Sequence, residues 1–258
     1  MSARVNAVSL VDALGSIFVI VATFAAAPVS AQDHAGQPGG SLQLTTFVAL
    51  AALALVPILF MTLTSFVKLS VVFSVLRNAL GAGQIPSGAV ITALSLVLTF
   101  YVMAPVGEDM IDAAAPSAAR VSMDDPLSDT QSLVETIRAG AAPLIAFLRR
   151  NAGERELGLF YDLAREARPA DRRDSISRDD AFVVAPAFLV TELSEAFQLG
   201  FLIFLPFLVV DLVIANVLTA LGLTSLNPTQ VSMPFKLLLF VMVDGWYLLA
   251  RALVLGYS

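Results

Sequence analysis

The segment from Pro234 to Leu249 reads PFKLLLFVMVDGWYLL and combines a membrane-like composition with two ionisable residues. Lys236 and Asp244 stand among Leu, Phe, Val and Met, and Gly245 and Trp246 follow directly. Such a run predicts that residues 234–256 form one apolar helix. Because an ion at the centre of a bilayer costs about 2.5–3.5 kcal/mol on insertion scales, both charges require partners or water.

The composition of the whole chain is that of a membrane protein, since 57% of its 258 residues are hydrophobic and only 14% are charged. The absence of cysteine excludes disulfides, thiolate catalysis and cysteine-based zinc sites. The single histidine, His34, lies in a Gln/Gly/Pro-rich stretch that we interpret as a linker, so it provides no histidine metal cluster.

Catalysis and nucleic-acid binding find no support in the sequence. The net charge is −6, and no basic patch with interleaved aromatic residues is present. We find no phosphate loop, no nucleophile–base arrangement and no metal-ligand spacing. The sequence therefore predicts a protein that is not an enzyme, binds no cofactor and has no nucleic acid as partner.

The first 31 residues have the layout of a signal peptide. Arg4 precedes an apolar run at residues 14–27, and a small-x-small pattern ends at Ala31. We predict cleavage after Ala31, followed by a polar linker at residues 32–41. Because Asp12 is unusual beside a signal core, an uncleaved membrane anchor remains the competing interpretation.

The remainder of the chain divides into three parts. A first pair of apolar helices is predicted over residues 42–106, with a kink at Pro57. Residues 107–181 hold fifteen of the 21 acidic and ten of the 15 basic residues, which predicts a water-exposed, mainly helical insertion. Hydrophobicity returns over residues 182–258, where we expect Pro206 to break the helix.

Two topology rules disagree about the insertion. Its ten arginines would place it in the cytoplasm by positive-inside counting, but that rule is weak for loops longer than about 60 residues. A cleaved signal leaves the new N-terminus outside, and two spans later the chain returns to the same side. We therefore predict a periplasmic insertion.

Ionisable residues interrupt the apolar segments at eight positions, namely Lys68, Arg77, Glu192, Glu195, Asp211, Lys236, Asp244 and Arg251. Three interpretations compete: ion pairing between helices of one chain, an oligomer interface or lined channel, and a proton or ion relay in a transporter. No internal repeat with matching broken helices is visible, which weakens the transporter interpretation. On the last helix, Asp244 and Arg251 share a face because they are seven residues apart, and Lys236 lies about 80° round from Asp244. One side of this helix is therefore predicted to be polar.

Four stretches carry a resemblance: TSFVKLSVVFSVLRNALGAGQIP (64–86), FYVMAPV (100–106), PAFLVTELSEAFQLGFLIFLPFLVVDLVIANVL (186–218) and MPFKLLLFVMVDGWYLL (233–249). Taken together they resemble the FliP/SctR (YscR/HrcR) family, membrane proteins of the type III export apparatus. The resemblance covers the chain from about Leu53 to the C-terminus, and the last two stretches are the most specific. Its signature residues are Pro186, Phe188, Phe197, Gln198, Gly200, Pro234, Gly245 and Trp246.

The resemblance implies an all-α, polytopic protein of the bacterial inner membrane, with helical hairpins and a soluble helical insertion. It implies several copies in a helical, ring-like pore through which unfolded export substrates leave the cytoplasm. Its implied partners are two small membrane proteins of the FliQ/SctS and FliR/SctT types, the large export-gate protein and the exported polypeptides. The chain would form part of the pore and would not itself drive the movement of the substrates.

A loop after the third stretch departs from many relatives, in which the corresponding loop is rich in methionine and forms a soft constriction of the pore. Here the loop is Leu223-Thr224-Ser225-Leu226. Methionine suits a deformable seal because it is flexible and polarizable. Leu223 and Leu226 offer apolar closure, whereas Thr224 and Ser225 are wetter, so the alternative is an ordinary helix-to-helix loop.

The branch of the family is the last prediction. The stretch SFVKLSVVFSVLRNALG, with its lysine at position 68, resembles the injectisome branch. A signal-like N-terminus, by contrast, is common in flagellar members. We favour an injectisome export subunit over a flagellar one. A small-solute or ion transporter with Lys68, Asp211 and Asp244 as a charge relay is the alternative from a different class.

Overall fold

The structure is a computed structural model that describes residues 54–81, 86–120 and 130–257. The predicted signal peptide (1–31) and linker (32–41) lie outside these residues. The chain divides into two compact units, Met1–Leu59 and Phe60–Ser258. Every regular element of the described part is helical, which confirms the all-α class.

Eight α-helices and one 3₁₀-helix are found among the described residues. They are α1 (Ala54–Thr62), α2 (Phe66–Ala79), α3 (Gly88–Ala118), α4 (Thr130–Asn151), α5 (Glu154–Glu166), the 3₁₀-helix Ala170–Ser175, α6 (Ala181–Ala220), α7 (Pro228–Met242) and α8 (Gly245–Leu255). By length and composition, α3 and α6 are long and apolar enough to cross a membrane, and the number rises to four if α1 with α2 and α7 with α8 each count as one span.

The long helix α6 is not broken at Pro206, so this prediction was wrong. Both Pro186 and Pro206 lie inside one helix of 40 residues. A proline removes one backbone hydrogen bond, but helices among apolar neighbours tolerate it because the alternative of open backbone without water is worse. Asp211 and Asn216 therefore continue the same helix as Glu192 and Glu195.

The predicted helix over residues 234–256 is in fact two helices, so this prediction was also wrong. α7 ends at Met242, α8 begins at Gly245, and the two axes are bent by 61°. Asp244 adopts a left-handed backbone conformation (φ 53°, ψ 49°), which an α-helix does not accommodate. Lys236 therefore lies on a different helix from Asp244 and Arg251, and no single polar face joins the three.

The apolar-to-charged change that we predicted at residue 107 falls inside α3, which continues from Gly88 to Ala118. The charged helices α4 and α5 follow, and their apolar side chains join the beginning of α6 in a core cluster that includes Phe147, Leu157 and Phe188. The charged part is thus packed onto α6 rather than separate from it.

A second core lies where α2 packs against α3, α6 and α7. Leu69, Val72, Phe73 and Leu76 recur at helical spacing and are completely buried. Gly200 lets α2 approach α6 closely, because a Cβ at this position would lie 3.0 Å from Val75 Cγ1.

Candidate functional site

The first charge cluster, here called the Lys68 cluster, consists of Lys68, Glu192, Glu195 and Tyr257. The Lys68 ammonium on α2 lies 2.9 Å from Glu192 Oε1 and 2.6 Å from Glu195 Oε2, both on α6. Lys68 and Glu192 are buried, whereas half of the Glu195 side chain is exposed. A buried charge is stable only with close partners, and here the lysine has two.

Tyr257 completes the Lys68 cluster from beyond the end of α8. Its hydroxyl donates a hydrogen bond to Glu192 Oε2, and Lys68 Nζ lies 4.4 Å from the centre of its ring. Burial raises the pKa of the Tyr257 phenol, and the neighbouring carboxylates raise it further, so the hydroxyl keeps its proton and acts as a donor. A second donor is needed because one cation faces two carboxylates.

The second charge cluster, the Lys236 cluster, consists of Lys236, Asp211 and Ser232. Lys236 Nζ on α7 lies 2.6 Å from Asp211 Oδ2 on α6, and Ser232 donates to the other carboxylate oxygen. The same ammonium donates to the carbonyl of Ala79 at 3.1 Å. That carbonyl belongs to the last turn of α2, where helices leave carbonyls unpaired and favour a cation.

The other predicted charges have no ion pair among the described residues. Arg77 is half-buried on α2, near Gly88, while Asp244 and Arg251 are exposed. Asp244 precedes α8 but its side chain makes no capping hydrogen bond. Of the eight predicted buried charges, the structure therefore brings together three in the first cluster and two in the second.

The Asp-Gly-Trp signature has a structural cause in the break between α7 and α8. Gly245 is buried, and a Cβ there would overlap the ring of Phe240. Trp246 packs its ring edge-on against the same phenylalanine, with 5.1 Å between centroids, and also meets Phe73 at 6.3 Å. Only a residue without a side chain fits against the Phe240 ring at this position.

The other signature residues have different environments. Phe188 is fully buried and contacts Phe147, and Gly200 is the close approach of α2 to α6. Pro186 lies inside α6 and is half-buried, whereas the remaining three are exposed, namely Phe197, Gln198 and Pro234. Packing within one chain does not explain why an apolar residue stands at an exposed signature position.

The predicted constriction residues lie in the turn between α6 and α7. Gly222 (φ 72°) ends α6, where its N–H donates to Thr219 and the N–H of Leu223 donates to Leu218, the paired hydrogen bonds of a Schellman turn. Asn227 then caps α7 by accepting from the N–H of Thr229 at 3.0 Å. All four predicted residues, Leu223, Thr224, Ser225 and Leu226, are exposed at this turn.

The apolar helices leave most of their surface uncovered. In the most hydrophobic window of α6 only 11% of the residues are buried, and in that of α3 only 28%. The exposed side chains include Phe201, Leu212, Val241 and Met242. Such a surface is too apolar for water and requires lipid or another protein as its neighbour.

Sequence reasoning missed two members of the clusters, Tyr257 and Ser232. A tyrosine or serine in an apolar stretch carries no charge, so no pattern marks it as a partner of a carboxylate. The signal that was available is general: a buried tyrosine hydroxyl needs a hydrogen-bond partner. Within the described ranges, no group of His, Cys, Asp and Glu is arranged to hold a metal ion.

Comparison with known proteins agrees with this architecture. Residues 49–253 match the model of the FliP family. The "Yop proteins translocation protein R" of Yersinia pestis is 41% identical over 219 residues, which cover 84% of this chain and 97% of the relative. The "Hypersensitivity response secretion protein HrcR" of Ralstonia nicotianae is 38% identical over 218 residues, 84% of this chain and 99% of the relative.

A flagellar relative is similar to the same degree. The "Flagellar biosynthetic protein FliP" of Pectobacterium carotovorum subsp. carotovorum is 38% identical over 248 residues, covering 95% of this chain and 91% of the relative. Similarity at this level over nearly whole chains, together with the matched family model, shows common membership. The chain belongs to the FliP family.

Proposed function

We propose that this chain is a structural subunit of a type III protein-export apparatus in the bacterial inner membrane. Together with further copies of itself and small membrane proteins of the FliQ/SctS and FliR/SctT types, it forms the pore through which unfolded polypeptides leave the cytoplasm. Its family membership supports the proposal, as do relatives named for translocation, secretion and flagellar biosynthesis. The large export-gate protein and the exported polypeptides are its further partners.

The uncovered apolar surface of α3, α6 and α8 is the observation that carries the proposal. The buried charges are largely paired inside the chain, while many large apolar side chains are exposed. A subunit of a membrane assembly has this distribution, because lipid and neighbouring subunits together supply the missing cover. The signature residues Phe197 on α6 and Pro234 on α7 are also exposed, as expected for contacts between subunits.

The membrane arrangement in this proposal is multi-pass, with residues 107–181 on the periplasmic side. Its support is the strong charge of these residues and the two to four apolar spans among the described helices. The signal peptide at residues 1–31 sets the orientation, and its cleavage defines the mature N-terminus.

The injectisome branch is our preferred assignment, and the flagellar branch is its alternative. Lys68 supports the first, and so does the slightly higher identity to the Yersinia pestis relative than to the Pectobacterium relative. The longer alignment to the latter supports the second. Two deletion strains, one without its injectisome subunit and one without its flagellar subunit, are each complemented with this chain. Measurement of protein export in each strain separates the two branches, because only the matching machine regains export.

The exposed turn from Leu223 to Leu226 is the proposed constriction of the pore. It is held by the Schellman turn at one end and the Asn227 cap at the other, so its two leucines have a fixed backbone without being buried. We expect that replacing both leucines by glycine increases the electrical leak of the closed complex in a planar bilayer. An unchanged conductance would show that this turn is not the seal.

A transporter with a charge relay fits the structure less well. The three relay residues of that hypothesis are separated: Lys68 pairs with α6 carboxylates, Asp211 pairs with Lys236, and Asp244 is exposed without an ion pair in the described part. A proton relay needs neighbouring groups. We therefore propose a conduit without catalytic or transport chemistry of its own.

Native mass spectrometry of the chain in mild detergent tests the proposed function. The chain is measured alone and after coproduction with its two small partners, and the mature mass also reports signal cleavage. We expect a defined multi-copy assembly that grows when the partners are present. A stable monomer that ignores both partners, and instead binds a small solute, would contradict the export subunit and favour the transporter.

A further inference from the structure

Helix α8 packs on the rest of the chain through apolar side chains, with Trp246 at its beginning and Leu249 and Leu253 further along. Only Gly245 and Leu253 are buried within it, while Tyr247, Leu248 and Leu255 are among its exposed side chains. At its beginning the chain bends at Asp244, a single residue in the left-handed conformation. These contacts of α8 are apolar, and the polar contacts to other helices come from the residue beyond its end.

Tyr257 provides those contacts, and they reach three other helices. Its hydroxyl bonds to Glu192 on α6, its ring stacks on Phe147 of α4 at 5.9 Å, and Lys68 of α2 lies over the ring. Tyr257 is itself buried. No other residue in or after α8, within the described part of the chain, has an ion pair, side-chain hydrogen bond or cation–π contact to another helix.

The hydroxyl of Tyr257 has a specific electrostatic task. The Lys68 cluster holds two carboxylates for one ammonium, and the fully buried member is Glu192. Without the phenol, Glu192 Oε2 would lose its hydrogen-bond donor in an apolar surrounding, which is costly for a charged group. The position of α8 and the stabilisation of the Glu192 carboxylate are therefore coupled through one hydrogen bond.

We propose that Tyr257 is a positioning residue that fixes α8 against α6, and that the subunit assembles only while α8 is held there. The inference rests on the proposed function, because it concerns the apolar face that α8 offers to neighbouring subunits. The competing explanation is that Tyr257 merely fills the core. The two differ for Tyr257→Phe, which keeps the ring and removes only the donor.

The position of α8 is measured first, in the full chain alone. The natural sequence has no cysteine, so a pair introduced at Leu202 and Leu248 can be spin-labelled without background. These residues line one apolar crevice from α6 and α8 and are both exposed. Dipolar broadening in continuous-wave electron paramagnetic resonance suits the short distance across one crevice. It is expected to give one narrow distance distribution for the parent and a broadened or displaced one for Tyr257→Phe.

Matched variants separate positioning from a general loss of stability. Tyr247→Phe removes an exposed hydroxyl from the same helix and is expected to leave the distribution unchanged. Incorporation of 4-aminophenylalanine at position 257 restores an N–H donor on the same ring and is expected to recover the parent distribution. A residue that acts only by its bulk would show neither the loss nor the recovery.

Assembly is measured second, as the yield of the complex with the two small partners. Loss of a hydrogen bond to a charged group shifts an equilibrium about tenfold, so we expect about tenfold less complex for Tyr257→Phe and recovery with 4-aminophenylalanine. An unchanged distance distribution in Tyr257→Phe overturns the proposal. A displaced α8 with full assembly overturns it as well. Failure of the parent chain to assemble contradicts the proposed function instead, and the distance measurement then decides alone whether Tyr257 fixes α8.

Discussion

At the scale of single residues, Lys236 shows how a cation is kept in an apolar protein. It is almost completely buried, and its ammonium reaches Asp211 on one helix and the Ala79 carbonyl on another. The long apolar stem lies among the helices while the charged end finds the polar groups. The same ammonium thus balances the Asp211 carboxylate and caps the end of α2 at the Ala79 carbonyl. A neutral apolar side chain of this size would leave both groups without a donor.

Replacement of Lys236 by methionine is expected to lower the free energy of unfolding by about 2–3 kcal/mol, because Asp211 then lacks its cation. The effect lies below that of a fully buried pair, since a quarter of the Asp211 side chain is exposed. Unfolding in mixed dodecylmaltoside and SDS, followed by circular dichroism, measures it. Arg251→Met is the control, because Arg251 is exposed and has no ion pair in the described residues.

The double variant Lys236→Met with Asp211→Leu completes this test. It removes the uncompensated carboxylate together with its partner, so we expect it to be more stable than Lys236→Met alone. If the double variant is instead as unstable as the sum of the two single variants, the two residues do not act as a pair.

At the scale of elements, α5 is joined to its neighbours α4 and α6 by contacts of unequal strength. The buried Thr191 hydroxyl on α6 accepts a hydrogen bond from the N–H of Gly153, directly before α5, at 2.9 Å. Arg149 bridges Glu154 and Asp179 on the surface at 3.0 and 3.3 Å. The first contact pairs a half-buried backbone donor with a buried acceptor, whereas the second competes with water.

Thr191→Val is therefore expected to loosen α5 by about 1–3 kcal/mol, since it leaves the Gly153 N–H without an acceptor. Arg149→Met is expected to cost less than about 1 kcal/mol, and the effect should shrink as salt is added. Hydrogen–deuterium exchange of the α5 amides compares the two variants. Thr219→Val on the same helix is the control, because its hydroxyl is exposed and bonds only to Ala215. Faster exchange in Arg149→Met than in Thr191→Val would reverse this ranking.

The breaks between helices were the part of the fold that was predicted least accurately from the sequence. A break was predicted at Pro206, where the helix continues. No break was predicted at the Asp-Gly pair 244–245, where the chain bends. Asp-Gly is a turn dipeptide, so the signal for the bend was present. The apolar run on both sides of this pair predicts one continuous helix. Hydrophobic periodicity does not reveal a single residue in the left-handed conformation.

At the scale of the whole molecule, the helical class, the membrane-like composition and the family could be predicted from the sequence, because they depend on local patterns and motifs. The pairing of the charges could not. Lys236 and Ala79 are 157 residues apart, and Tyr257 and Glu192 are 65 apart. Helical spacing shows which residues share a face but not which other helix that face meets.

The uncovered apolar surface has a consequence for the life of the protein in the cell. A newly made chain whose longest helix buries so little would, without neighbours, resemble a misassembled membrane protein to the proteases that survey the bilayer. Its steady-state amount should then follow the synthesis of its partners and not its own transcription alone. Subunit ratios would in this way be corrected by turnover, so that unassembled copies disappear and only chains built into the complex persist.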